Sequence, residues 1–100
     1  MPELRNIDEL CSTAILEFPY RMEHLLKVCG GAPKLARAMG ITPTKLYEWT
    51  YRGAQGQIRM PSGASAMRLA LATGADINWL FTGKGQSPSA TNIALLGERL

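Results

Sequence analysis

The stretch Pro33 to Trp49, PKLARAMGITPTKLYEW, constrains this chain more than any other. Leu35, Ala36, Gly40, Ile41, Leu46 and Trp49 fall at the spacing of two short helices crossing at a tight turn. Ala36 is small where the second helix passes close over it. Gly40 lets the backbone turn with φ > 0. Thr42 then offers a hydroxyl as N-cap and Pro43 suits the first helical position, so a new helix starts at once. Leu46 and Trp49 point inward, leaving Thr44, Lys45, Tyr47, Glu48 and Tyr51 outward. This is the plan of a helix-turn-helix, whose second helix enters the DNA major groove.

At 100 residues and 46% hydrophobic content the chain suits one small helical domain. The net charge is only +3, but it is unevenly spread. In residues 1–30, Arg5, Arg21 and Lys27 face Glu3, Asp8, Glu9, Glu17 and Glu23, a balance of −2. In residues 31–60, Lys34, Arg37, Lys45, Arg52 and Arg59 face Glu48 alone, a balance of +4. Positive charge thus collects around the helix-turn-helix, as a phosphate-binding surface requires. Cys11 and Cys29 are too few for a disulfide framework and fall on apolar helix faces, which predicts buried, reduced thiols. No signal peptide is recognisable, and no apolar run approaches the ~18 residues of a membrane span. A cytoplasmic protein is expected, with no membrane partner.

Ile7, Leu10, Cys11, Ala14, Ile15 and Phe18 recur at helical spacing, predicting a first helix capped by Asn6 or Asp8. Pro19 ends it or opens the next, Tyr20 to Cys29, with Met22, Leu25, Leu26 and Cys29 on one face. The motif helices follow, about Ala32–Met39 and Pro43–Arg52. After a glycine-rich loop, a helix from about Pro61 to Thr73 is expected to turn Ala66, Met67, Ala70 and Leu71 inward. Asp76 can cap a last helix, Ile77 to Phe81. Residues 84–92, KGQSPSATN, read as flexible linker, and IALLGERL as one helical turn or a short strand. The expected fold is all-α, a compact four- to five-helix bundle containing the motif. Its divisions are an extra N-terminal helix (1–19), the helix-turn-helix domain (20–83), and a linker with a short tail (84–100).

GGAPKLARAMGITPTKLYEW, the following Tyr51-Arg52-Gly53, and ALATGADINWLFTGKG together resemble the N-terminal DNA-binding domain of phage CI-type repressors, in the Cro/CI (lambda-repressor-like) superfamily. The resemblance covers roughly residues 20–85. It implies dimeric binding to palindromic operators and repression by promoter occlusion, in a bacterial host cell and at the nucleoid. It also leaves room for a regulatory protein partner. Many relatives begin the first motif helix with Gln; Ala32-Pro33 stands here instead, so that polar contact must come from elsewhere. Full-length relatives append an oligomerisation domain. Residues 84–92 fit the linker to one, and a short stand-alone regulator is the alternative.

Thr44, Lys45, Tyr47 and Glu48 are the candidate base contacts. Lys45 can reach guanine O6/N7, Tyr47 a thymine methyl, and Glu48 cytosine N4. Two readings stay open for Glu48: reading a base, or orienting Lys45 or Arg52 from the same helix. Thr42 is either a cap alone or a phosphate contact as well. Lys34, Arg37, Thr42, Tyr51, Arg52 and Arg59 are the candidate backbone contacts. Trp49 is expected in the core. Trp79, Leu80 and Phe81 are core or, as the final helices often are in this superfamily, dimer surface. Catalysis is not expected: His24 is the sole histidine, and no nucleophile, metal or phosphate-loop pattern is present, so no cofactor is implied. The rival function is a protein-interaction module on the same scaffold, an antitoxin or adaptor. The apolar first helix and IALLGERL favour it; the basic middle third opposes it.

Overall fold

Helix α1 runs unbroken from Pro2 to Val28 in the computed structural model, straight through Pro19. The structure describes residues 2–95, with side chains from Asn6 onward. The expected break at Pro19, and the caps at Asn6 or Asp8, are therefore not found. Proline removes one helical hydrogen bond and costs about 3 kcal/mol in a helix interior. On the same helix Phe18, Met22 and Leu25 are completely buried, each contributing roughly 1.5–3 kcal/mol. Burial outweighs the proline, so the helix continues.

α1 ends at Val28, and two residues on, Gly30 with its φ of 89° lets Gly31 N–H reach back to the Leu26 carbonyl at 2.8 Å. Helix α2 (Ala32–Met39) buries Ala32, Leu35, Ala36 and Met39. Gly40 repeats the device at φ 71°, with Ile41 N–H donating to the Ala36 carbonyl at 3.0 Å. Helix α3 follows as Pro43–Glu48, shorter than the Pro43–Arg52 expected. Its end tightens because Trp49, Thr50 and Tyr51 each donate to the carbonyl three residues back. The Thr50 hydroxyl also donates to the Tyr47 carbonyl at 2.8 Å.

Helix α4 spans Gly63–Thr73 and is capped by Ser62, whose hydroxyl accepts from Ser65 N–H. Its buried residues are Leu69, Ala72 and Thr73; of the four expected to turn inward, Ala66 and Ala70 are half-buried, but Met67 and Leu71 are 64% and 72% exposed. Helix α5 spans Ile77–Thr82 with Asp76 as its cap. Among the described residues the fold is all-helical, save one antiparallel bridge between Arg52 and Ile58. α1 packs on α5 and α2, and α2 on α3 and α4. The longest dimension, 49 Å, reflects the length of α1.

Residues 84–95 do not stand off as a linker. Pro88 is buried, Leu95 is 2% exposed, and Ala94 N–H lies 3.4 Å from the Thr73 carbonyl. His24 Nε2–H donates to the Pro88 carbonyl at 3.0 Å. Most of IALLGERL lies outside the described residues.

Candidate nucleic-acid interface

α3 is anchored by Leu46, fully buried, and by Trp49 just beyond it, 3% exposed. These two fix the rotation of the helix. Thr44, Lys45 and Tyr47 therefore face solvent and Glu48 is half-buried. Tyr47 is 55% exposed, so its ring is not spent on packing. Lys45 Nζ and Glu48 Oε2 form an ion pair at 3.5 Å along one face of α3. Of the two openings for Glu48, orientation of Lys45 has this direct contact. Thr42 occupies the N-cap with extended backbone, but its hydroxyl makes no capping hydrogen bond.

Around α3 the cations are held individually. Arg52 pairs with Glu23 of α1 at 2.9 Å and lies 4.3 Å over the Tyr20 ring. The other partner proposed for it from sequence, Glu48, is taken by Lys45. Arg59 lies 4.6 Å over the Tyr51 ring. Lys34 and Arg37 are exposed on α2, on the side away from Leu35 and Ala36. The glycine-rich loop is tied by Gly53 N–H to the Gln57 carbonyl at 2.9 Å, which carries Arg59 back towards Tyr51.

Residues 25–88 match the model of the bacteriophage CI repressor helix-turn-helix domain. The chain belongs to that family. It carries a repressor-type, DNA-binding helix-turn-helix domain, in a family of transcription regulators rather than enzymes. An uncharacterized HTH-type transcriptional regulator of Haemophilus influenzae (strain ATCC 51907 / DSM 11121 / KW20 / Rd) is 32% identical over 74 residues. The alignment takes in 74% of this chain but only 29% of that relative. No solved structure matches the chain. None of the described helices is long and apolar enough to cross a membrane.

Within this CI-type domain, two expectations need correction. Leu80 is completely buried and Trp79 is 9% exposed, so neither presents a dimer surface. α1 covers them: Phe81 stacks on Phe18 at 5.5 Å, and the Trp79 ring meets His24 edge-on at 5.8 Å. Only Phe81 stays partly open. Cys29 is buried as expected, but Cys11 is exposed. Arg21, not singled out from sequence, is 8% exposed and donates through Nε to the Leu80 carbonyl at 2.7 Å. Its Nη2 also donates to the carbonyls of Ala14 and Phe81. Burial lowers the Arg21 pKa, partly offset by Glu17, without discharging a guanidinium. Tyr20 and Glu23 were missed as well. They lie some thirty residues from Arg52, and no helical spacing can signal a contact at that range.

Proposed function

We propose that this protein is a sequence-specific transcriptional repressor that binds a palindromic operator as a homodimer, of phage or prophage origin. The observation that carries the reading is the outward set Thr44, Lys45, Tyr47 and Glu48, on a short helix immobilised by Leu46 and Trp49. Side chains on a rigid mount can discriminate base edges, each good bidentate contact being worth about 1–3 kcal/mol. Lys34, Arg37, Tyr51, Arg52 and Arg59, with the uncapped hydroxyl of Thr42, supply phosphate contacts that fix register and affinity. In the free protein Glu48 holds Lys45; on DNA the carboxylate is left to accept from cytosine N4 as Lys45 turns to a guanine or a phosphate. The protein acts in the cytoplasm of the bacterial host, at the nucleoid, and takes no cofactor.

The test is selection from random duplexes by gel shift at two salt concentrations, comparing wild type, Lys45→Ala and Glu48→Ala. A palindromic site, lost with Lys45→Ala and relaxed at one base pair with Glu48→Ala, is the expected result. No enriched sequence and no salt-sensitive shift would overturn it. The exposed apolar half of α1 favours a second reading, a protein-interaction module on the same scaffold. Binding of that kind responds little to salt, whereas DNA binding weakens steeply through counterion release.

A further inference from the structure

Helix α1 meets the loop that follows α3 as well as the core. Phe18, Met22 and Leu25 turn into the core. Leu16, Tyr20 and Glu23 recur at i, i+4 and i+7, so they share a different side of the same helix. The loop lies along that side. Its turn comes up to Leu16, where a Cβ placed on Gly56 would sit 3.7 Å from Leu16 Cδ2. At its start, Arg52 rests its guanidinium 4.3 Å over the Tyr20 ring and pairs through Nη1 with Glu23 at 2.9 Å. The backbone of Arg52 is fixed too, by the bridge to Ile58, which packs against the core. All three residues of α1 precede residue 25, where the match to the family model begins.

We infer that Tyr20 and Glu23 are positioning residues for DNA binding: they set the plane and the edge of the Arg52 guanidinium so that it meets one particular backbone phosphate. The role rests on the reading of Arg52 as a phosphate contact. Exposure supports it, because the Arg52 side chain remains 41% exposed inside this hold. A guanidinium carries five N–H donors in a rigid fork. Tyr20 takes one face and Glu23 part of the edge, so donors remain for a phosphate. An arginine loose in solvent would supply the same charge with no fixed direction. Charge alone attracts every duplex equally, whereas a phosphate contact of fixed geometry sets the register in which α3 meets the bases. The hold therefore serves discrimination more than affinity. Glu23 shows the same balance, since its carboxylate weakens the attraction for DNA while fixing the direction of Arg52. Stability is a poor reason for this ion pair, because exposed pairs contribute little to it.

The test measures affinity for a selected duplex and for random duplex by gel shift at one salt concentration. Wild type is compared with Tyr20→Leu, Tyr20→Phe, Glu23→Gln and Arg52→Ala. Tyr20 and Glu23 are both exposed, so circular dichroism of their variants is expected to match wild type. Tyr20→Leu is expected to lower the ratio of specific to random affinity about fivefold over two half-sites. Tyr20→Phe, which keeps the ring face, is expected to retain it. Glu23→Gln is expected to lower the ratio as well, while binding random duplex no more weakly than wild type. In the Arg52→Ala background neither Tyr20→Leu nor Glu23→Gln is expected to change the ratio, because residues that act through one partner are not additive. A ratio untouched by Tyr20→Leu overturns the inference, and so does a loss that persists in Arg52→Ala. Without DNA, the Arg52 Hδ resonances are expected upfield in wild type and Tyr20→Phe, and at random-coil positions in Tyr20→Leu. Random-coil positions in wild type overturn the hold itself. If wild type binds no duplex, the DNA reading fails and the positioning role with it. Equal discrimination by wild type and Tyr20→Leu ends the role alone.

Discussion

Thr42 sits at the N-cap of α3 with its hydroxyl unused by the backbone, which separates two roles that normally coincide. A capping threonine costs about 0.5–2 kcal/mol when replaced by alanine. Thr42→Ala is expected to leave the urea midpoint almost unchanged, within a few tenths of a kcal/mol, while weakening a DNA complex that uses the hydroxyl. A stability loss of full capping size would contradict the geometry. Arg21 is the opposite case, an ionised side chain spent on internal structure. Its bonds to the Leu80 and Phe81 carbonyls satisfy groups at the end of α5 that have no helical partner. Charge-assisted bonds are worth about 1.5–3 kcal/mol, so Arg21→Ala is expected to destabilise by about 2–3 kcal/mol in urea unfolding. It is not expected to alter the salt response of DNA binding, because Arg21 does not face solvent.

Helix α5 shows how a short element is held by its ends. Asp76 accepts from Asn78 and Trp79 N–H, and also from Gln86 N–H at 2.9 Å, tying the following segment to the cap. The bond from Gln86 is the largest influence on its carboxyl, and together these bonds hold the pKa below its ordinary value against a smaller opposing effect of desolvation. A folded-state pKa below the unfolded one contributes stability above the unfolded value, about 3.9, and loses it as pH falls through the folded one. The stability difference between wild type and Asp76→Asn is therefore expected to be constant near neutrality and to shrink below about pH 4; urea titrations at a series of pH values measure it. The segment after α5 makes a second prediction at this scale. Leu95 is 2% exposed, so Leu95→Ala is expected to cost about 2 kcal/mol or more in thermal or urea unfolding. A freely moving linker would show no change.

For the whole molecule, charge is segregated. The acidic balance of residues 1–30 and the basic balance of residues 31–60 lie on different elements, joined where Glu23 meets Arg52. For the homodimer proposed above, with Lys34, Arg37, Arg52 and Arg59 on phosphates in each copy as proposed, the log–log salt slope is expected to be roughly −7. Replacing Lys34 by alanine in both copies should make it shallower by about 2. A slope near zero would set aside phosphate binding by these residues.

Much of the fold was legible in the sequence where a local rule had a single solution. Gly40 before Thr42-Pro43 admits one kind of turn, and Leu46 and Trp49 admit one rotation of α3. Asp76 had a cap to make and a short helix to start. Three features were left to the tertiary structure. Pro19 obeys local sterics until Phe18, Met22 and Leu25 are buried around it, and then the helix runs on. α4 carries apolar residues on every side, so periodicity could not say which face turns inward; packing chose Leu69, Ala72 and Thr73. The partners of Arg52 and Arg21 lie at separations that no spacing rule reaches, because contacts between elements depend on how the elements dock. The sequence by itself determined the helix-turn-helix and its outward side chains, since both follow from bonds a few residues long. Only the tertiary structure decided which cations are held and which apolar face of α1 stays open, because burial belongs to the assembled whole.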